Sequence, residues 1–213
     1  MNQNPRICIL AGSPRKQGNT ASLLAPFTEE LQTRGAAVEH IRLHDLNIQG
    51  CIACRTCQNV EDGFGCIHDD DLQGVYDAVD KADCIILATP IYAWYCTGPM
   101  KLALDRLIYG FNKYYSSIKG LSLWKGKTVG LFITCGYRIE SGTGPFVQGM
   151  QRYCKHSQLR YAGLFAARDR GYEVPFVTDE KVAGARDFAA RLHERLTAAA
   201  AAESGEPLFV GIE

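Results

Sequence analysis

RICILAGSPRKQGNT, residues 6–20, is a short apolar run that stops at a glycine and passes through a polar loop into a helical pattern. Arg6 to Ala11 reads as a strand. Thr20 to Thr33 has helical spacing through Leu23, Leu24, Phe27 and Leu31, and closes near Gly35. A strand, a glycine-bearing loop and a helix in that order open a right-handed crossover to a second, parallel strand.

The alternation continues outward from there. Val38 to Leu43 reads as a second strand, and Asn47 to Asp70, with little periodicity, as a loop. Asp71 to Ala82 is predicted helical, with aspartates favourably placed at its positive end. Cys84 to Ala88 (CIILA) is a continuous apolar run, the pattern of a strand covered on both faces. An aromatic loop over Pro90–Gly98 leads into a helix from Pro99 to Tyr109, spaced through Met100, Leu104, Leu107 and Ile108. Lys127 to Thr134 reads as a fourth strand, Phe146 to His156 as a helix and Leu159 to Ala166 as a fifth strand. A last helix runs from Thr178 to Ala201, its alanine-rich end a low-complexity tail. The expected fold is therefore α/β, a doubly wound five-stranded parallel sheet in one domain over residues 1–213. With strand order 2-1-3-4-5, a ligand belongs at the carboxyl ends of the strands.

Bulk properties narrow the function. The 213 residues are 46% hydrophobic and 22% charged, enough for a sizeable core. Lysine plus arginine and aspartate plus glutamate each number 23, so no net field favours nucleic acid or a membrane surface. Neither a signal-peptide core nor an 18-residue apolar span is present, and the expected location is cytoplasmic.

The loop after the first strand has the chemistry of an anion site. A helix N-terminus offers unpaired N–H groups and partial positive charge. Ser13, Arg15, Lys16, Gln17, Gly18, Asn19 and Thr20 surround that position, with hydroxyl, amide and cationic donors among them. Gly12 and Gly18 let the backbone turn closely about the anion. Five residues separate these glycines and Asn19 follows the second, so the loop is not a Walker A motif, nor does it spell G-x-G-x-x-G. The plain alternative is a polar turn capped by Thr20.

G-S-P-R-K-x-G-N-T, followed by T-P-I-Y-x-W-Y over Thr89–Tyr95 and M-K-x-x-x-D-R over Met100–Arg106, resembles the NADPH-dependent FMN reductase and iron-sulfur flavoprotein family. The resemblance spans about the first 170 residues and implies a flavodoxin-like fold. It further implies FMN phosphate held by Ser13, Arg15, Gly18, Asn19 and Thr20, and an isoalloxazine ring against Pro90, Ile91, Tyr92 and Trp94. Physical chemistry supports the second loop independently, because aromatic side chains form flat apolar walls for a planar ring. The alternative is that these aromatics cap the core. Thr134, Cys135 and Gly136, after the fourth strand, are a third expected contact, and Gly142 and Gly144 suggest a mobile edge there. No acid–base pair or nucleophilic triad emerges. None is needed where a flavin performs the chemistry.

Nine cysteines is a high count, and four fall in one loop as Cys51-x-x-Cys54-x-x-Cys57 and Cys66. Three at three-residue steps suit the face of an iron-sulfur cubane, whereas zinc more often uses two separated C-x-x-C knuckles. Reduced or disulfide-forming thiols are the further alternative. The resemblance implies a 4Fe-4S cluster on these four, although the gap over residues 58–65 is longer than the compact family pattern. Cys8 and Cys84 read as core, Cys96 and Cys135 as exposed near the flavin, and His68 as polar surface. Asp105 and Arg106 read as an ion pair orienting their helix. Tyr109, Phe111, Tyr114, Tyr115 and Trp124 form an aromatic stretch suited to a subunit interface, a roof over the ring site or the core. The resulting expectation is an FMN-dependent oxidoreductase. It would pass electrons from NAD(P)H or a ferredoxin-like donor to a small acceptor (quinone, nitro, azo or flavin), as a homodimer or homotetramer. The rival is an electron-transfer or redox-sensing protein without a small-molecule substrate.

Overall fold

The computed structural model describes residues 4–116, 120, 122–198 and 206–213. Strands β1 (Arg6–Ala11), β2 (Ala37–Arg42), β3 (Cys84–Pro90), β4 (Thr128–Cys135), β5 (Arg160–Arg168) and β6 (Leu208–Ile212) form one sheet. Its order is β2-β1-β3-β4-β5-β6, and every pairing is parallel. Helices α1 (Asn19–Thr33), α2 (Leu72–Lys81), α3 (Gly98–Phe111), α4 (Ile139–His156) and α5 (Asp179–Thr197) cover both faces.

The central strands are apolar throughout because both of their faces are buried. Ile7, Ile9, Ala11, Cys84, Ile86 and Ala88 pack with Leu23, Leu24, Phe27 and Leu31 of α1 and Phe188 of α5. The alternate residues Cys8, Leu10, Ile85 and Leu87 pack with Val75, Val79, Met100, Leu104 and Met150 of α2, α3 and α4. Phe111 and Trp124, stacked 4.4 Å apart, belong to this second core layer.

Three expectations need correction. The sheet has six strands, not five. β6 lies flush against β5 because position 163 is glycine: φ is +136°, and any Cβ there would collide with the Leu208 backbone. The last helix ends at Thr197; its expected continuation over residues 199–201 lies outside the described residues. The segment holding Gly142 and Gly144 is helical, not an open edge, and α4 starts at Ile139. The Ile139 amide donates to Glu213 Oε1 at 3.1 Å, and Gly142 packs tightly against Tyr137, where a Cβ would stand 2.7 Å from the Tyr137 Cβ. Among the described residues no helix is long and apolar enough to cross a membrane.

Candidate functional site

Three loops meet at the carboxyl ends of the central strands, as the topology requires. Their cavity, of about 120 Å³, is lined by Ser13, Arg15, Gly18, Asn19 and Thr20, by Pro90, Ile91 and Tyr92, and by Thr134, Cys135, Gly136 and Asp169. Helix α1 opens into it behind Gly18 with no side-chain cap and no acidic residue in its first turn, so its positive end is left for an anion.

Hydrogen bonds tie the loops together. Thr97 donates through Oγ1 to the Gly12 carbonyl at 2.7 Å, which fixes the start of α3 against the loop after β1. A Cβ at Gly12 would stand 2.7 Å from that same Oγ1, so this close approach requires glycine. The buried hydroxyls of Thr20 and Thr134 share a hydrogen bond at 2.8 Å, and the Ile91 amide donates to the Thr134 carbonyl at 2.8 Å.

Beside the cavity, Tyr92 and Tyr95 exchange two backbone hydrogen bonds, at 2.9 and 3.0 Å, around Ala93 and Trp94. Both central residues have positive φ, +48° and +63°, the form of a tight two-residue turn that glycine or asparagine favours. Trp94 stacks on Tyr137 at 5.1 Å with an interplanar angle of 16°, and both rings are exposed.

Most of the expected residues converge here, and three do not line the cavity. Lys16 points to solvent and pairs with Asp45 at 3.6 Å, and Gln17 is exposed at the loop tip. Trp94 forms the flanking stack instead. Cys96 and Cys135, expected to be exposed, are buried; burial pushes their thiols up to about 12 and about 11, so they stay neutral. Asp169 went unpredicted. Its Oδ2 accepts from Asn19 Nδ2 at 2.7 Å and its Oδ1 from the Gly171 amide at 3.0 Å. The one available signal was its place at the carboxyl end of the fifth strand.

A second and larger cavity, about 240 Å³, lies against the other end of α3. Cys51, Cys54, Cys57 and Cys66 all line it, together with His68, Arg106, Tyr109 and Tyr115. The aromatic stretch thus divides, with Tyr109 and Tyr115 here and Phe111 and Trp124 in the core. All nine cysteines are free in this structure, four of them in this loop. Among the described residues no three histidines, cysteines or carboxylates could hold a single metal ion. A cubane, by contrast, needs its four thiolates spread around a volume. Two buried nitrogens in residues of this wall, Arg106 Nε and His68 Nε2, have no hydrogen-bond partner among the described residues. The four thiols, the volume and the unpartnered Arg106 N–H fit an anionic, sulfur-rich occupant.

The loop is pinned to the end of α3 by buried polar groups. Gln58 Nε2 donates to the carbonyls of Tyr109 and Asn112 at 2.7 and 2.9 Å, and Lys113 Nζ donates to those of Cys57 and Gly63 at 2.8 and 2.7 Å. Burial lowers the Lys113 pKa. Arg106 pairs with Asp70 at 2.5 Å, the two side chains 1% and 0% exposed, and also donates from Nη2 to Cys66 Sγ at 3.1 Å. Burial alone would raise the Asp70 carboxyl. The Arg106 hydrogen bond and the amides of Gln49 and Leu72 outweigh it and hold the carboxyl below its ordinary range. The expected Asp105–Arg106 pair does not form: neighbours on a helix point apart, and Asp105 bonds Lys101 one turn back. His68 is half-buried in the cavity wall, not surface.

A family model described as NADPH-dependent FMN reductase matches residues 5–144. An iron-sulfur flavoprotein of Archaeoglobus fulgidus is 34% identical over 115 residues, 51% of this chain and 51% of that protein. One from Methanosarcina thermophila is 28% identical over 167 residues, 78% of this chain and 79% of its own. The match spans about half the length of most of the curated relatives. Among solved structures, the NAD(P)H:quinone oxidoreductase of Methanothermobacter marburgensis superposes with a TM-score of 0.63 at 17% identity, over 92% of this chain and 98% of its own. That likeness is one of fold, and with the strand order it makes the architecture flavodoxin-like.

Proposed function

This chain belongs to the NADPH-dependent FMN reductase family, and we propose that it is an FMN-dependent oxidoreductase serving a small acceptor such as a quinone, nitro compound, azo compound or free flavin. NAD(P)H or a ferredoxin-like protein is the proposed donor. One observation carries this proposal: the loops after β1, β3 and β4, expected separately to hold phosphate and ring, line a single cavity.

Bound FMN supplies hydride and electron transfer that no side chain here offers. Ser13, Arg15, Asn19, Thr20 and the uncapped first turn of α1 bind the phosphate. Pro90, Ile91 and Tyr92 form one boundary of the ring site, and Cys135 and Gly136 another. The neutral Cys135 thiol puts no charge beside the ring. The Trp94–Tyr137 stack stands beside the ring site. Asp169 orients the Asn19 amide.

The test is to titrate the purified protein with FMN and with riboflavin, then follow anaerobic reduction by NADPH and NADH with and without a quinone. FMN must bind at least tenfold tighter than riboflavin, since the phosphate contacts are lost in the latter. Equal affinities, or no flavin binding, would overturn the assignment.

A second reading has its own observation, the convergence of four thiols on one cavity whose wall includes Arg106. Cys51, Cys54, Cys57 and Cys66 would hold a 4Fe-4S cluster, which supplies one-electron transfer and suits an electron-transfer or redox-sensing protein. Anaerobic reconstitution followed by iron and acid-labile sulfide assays tests it; absence of both would end it. Assembly as a homodimer or homotetramer would cover the exposed Ile52, Ile67, Tyr109 and Tyr115 that line this cavity, and sedimentation decides it.

A further inference from the structure

We propose that Arg106 is a positioning and potential-setting residue for the cluster site, fixing Cys66 and raising the potential of the iron-sulfur group through a buried N–H···S bond. The inference rests on the cluster reading above.

Among the described residues Arg106 is the one cation that donates directly to a cysteine sulfur in this loop: Nη2 stands 3.1 Å from Cys66 Sγ. The neighbouring buried cation, Lys113, donates to carbonyl oxygens instead. The guanidinium cannot drift from the sulfur. Nη1 donates to Asp70 Oδ2 at 2.5 Å and to the Gln49 carbonyl at 3.1 Å, and the plane lies 5.7 Å from the Phe64 ring centre. Asp70 is held in turn, its carboxylate accepting from the amides of Gln49 and Leu72 at 2.8 and 3.2 Å. A planar fork bonded on two sides is pre-organised in a way a lysine would not be.

The remaining donor is the second, independent observation. Arg106 Nε is buried in the wall of the same cavity with no partner among the described residues. A buried N–H is rarely left unpaired. Nε is a spare donor on a residue that also lines the space bounded by four thiols.

The physical consequence concerns one electron. Adding it makes a cluster with four thiolates one charge more negative, and hydrogen bonds from a buried cation to its sulfurs stabilise that state over the oxidised one. Arg106 therefore raises the midpoint potential. No other reactant is involved, since the electron comes from and returns to the mediator in a redox titration.

The experiment compares reconstituted wild type, Arg106→Lys and the double variant Arg106→Met/Asp70→Asn. The double variant removes the cation without leaving a buried unpaired carboxylate. Iron and sulfide per chain are assayed first. Cluster and flavin midpoints are then measured on the same samples, by EPR-monitored and visible titrations. The expected result is full iron, an unchanged flavin midpoint and a cluster midpoint lower by at least a tenfold change in the reduced-to-oxidised ratio, about 59 mV for one electron, in the double variant. Arg106→Lys should recover part of that shift. An unchanged cluster midpoint in an iron-replete double variant overturns the proposal, as does an equal shift in the flavin midpoint. Iron lost from both variants would make Arg106 a holding residue only and overturn its potential-setting role. Wild type that takes up no iron and sulfide would instead sink the cluster reading itself.

Discussion

Ala93→Gly should stabilise the apo protein. Ala93 sits at φ +48° in the two-residue turn closed by Tyr92 and Tyr95, next to Trp94 at +63°. An L-residue in the left-handed region costs about 1–2 kcal/mol, and glycine escapes that cost while losing about 0.5–1 kcal/mol more backbone entropy on folding. The side chain is exposed, so almost no burial is lost. The net gain is about 0.5–1 kcal/mol, or roughly 1–4 °C in Tm for a chain of this length. Trp94→Gly relieves similar strain but forfeits the stack on Tyr137, about 0.5–1.5 kcal/mol, so it should fall near zero. Urea unfolding of both variants without flavin, read as a shift in midpoint at constant m, measures the difference. If the strain also pre-shapes the ring site, Ala93→Gly should weaken FMN binding while it strengthens the fold. An Ala93→Gly protein no more stable than wild type would show that the turn holds no strain to release.

Three further predictions rest on single contacts. Gly12→Ala puts a Cβ 2.7 Å from Thr97 Oγ1 and 3.2 Å from the Met100 Cβ; the crowding should cost about 1–3 kcal/mol and weaken FMN binding, both measurable on the same preparation. Asp70→Asn breaks a fully buried ion pair and should cost about 3 kcal/mol near neutral pH. Because the folded Asp70 pKa is depressed, its contribution is present above the unfolded value of about 3.9 and lost as pH falls through the folded one. The gap between wild type and variant should therefore close in acid, and a gap independent of pH would contradict the ion pair. Alkylation of native apo protein followed by mass spectrometry should modify Cys51 and Cys54 first. Cys54 is exposed and its thiol is lowered by the Thr56 hydroxyl, whereas burial raises those of Cys8, Cys84, Cys96, Cys135 and Cys154. Equal labelling of Cys96 or Cys135 would show that the ring loop opens freely.

What the sequence disclosed was local chemistry in the right order. Runs such as Ile7–Ala11 and Cys84–Ala88 announce two-sided burial by themselves, and the loop after β1 is contiguous, so β1, β3 and most of the lining of the cavity proposed for flavin could be read directly. The failures share a cause, which is dependence on distant partners. β6 is a five-residue strand beyond an alanine-rich stretch, and its place is decided by Gly163 some 45 residues earlier. The first turns of α4 contain two glycines and a proline and look like a loop, yet an acceptor from Glu213 and the packing of Gly142 on Tyr137 make them helical. Asp169 acts through Asn19, 150 positions away. Adjacent Asp105 and Arg106 invite pairing on paper, but the helix turns Arg106 inward to Asp70 and leaves Asp105 at the surface with Lys101.

Strain marks both candidate sites more sharply than any motif does. Among the described residues, five other than glycine have positive φ: Ala53, Arg55, Ala93, Trp94 and Gln158. The first two flank Cys54 in the cysteine loop and the next two form the turn beside the cavity proposed for flavin; of the five, Gln158 alone lies away from both. Such conformations persist where surrounding contacts over-determine them. Those contacts are visible here, as the paired Tyr92–Tyr95 bonds in one case and the Gln58, Lys113 and Arg106 anchors in the other. Helix α3 runs between the two sites, its start tied by Thr97 to Gly12 and its last turns to the cysteine loop, and Gly98 to Arg106 spans about 12 Å at 1.5 Å per residue. A change that tilts α3 must therefore disturb the ring loop and the thiol cavity together, whereas Ala93→Gly and the Arg106 variants, acting at opposite ends, should leave one another's readout unmoved.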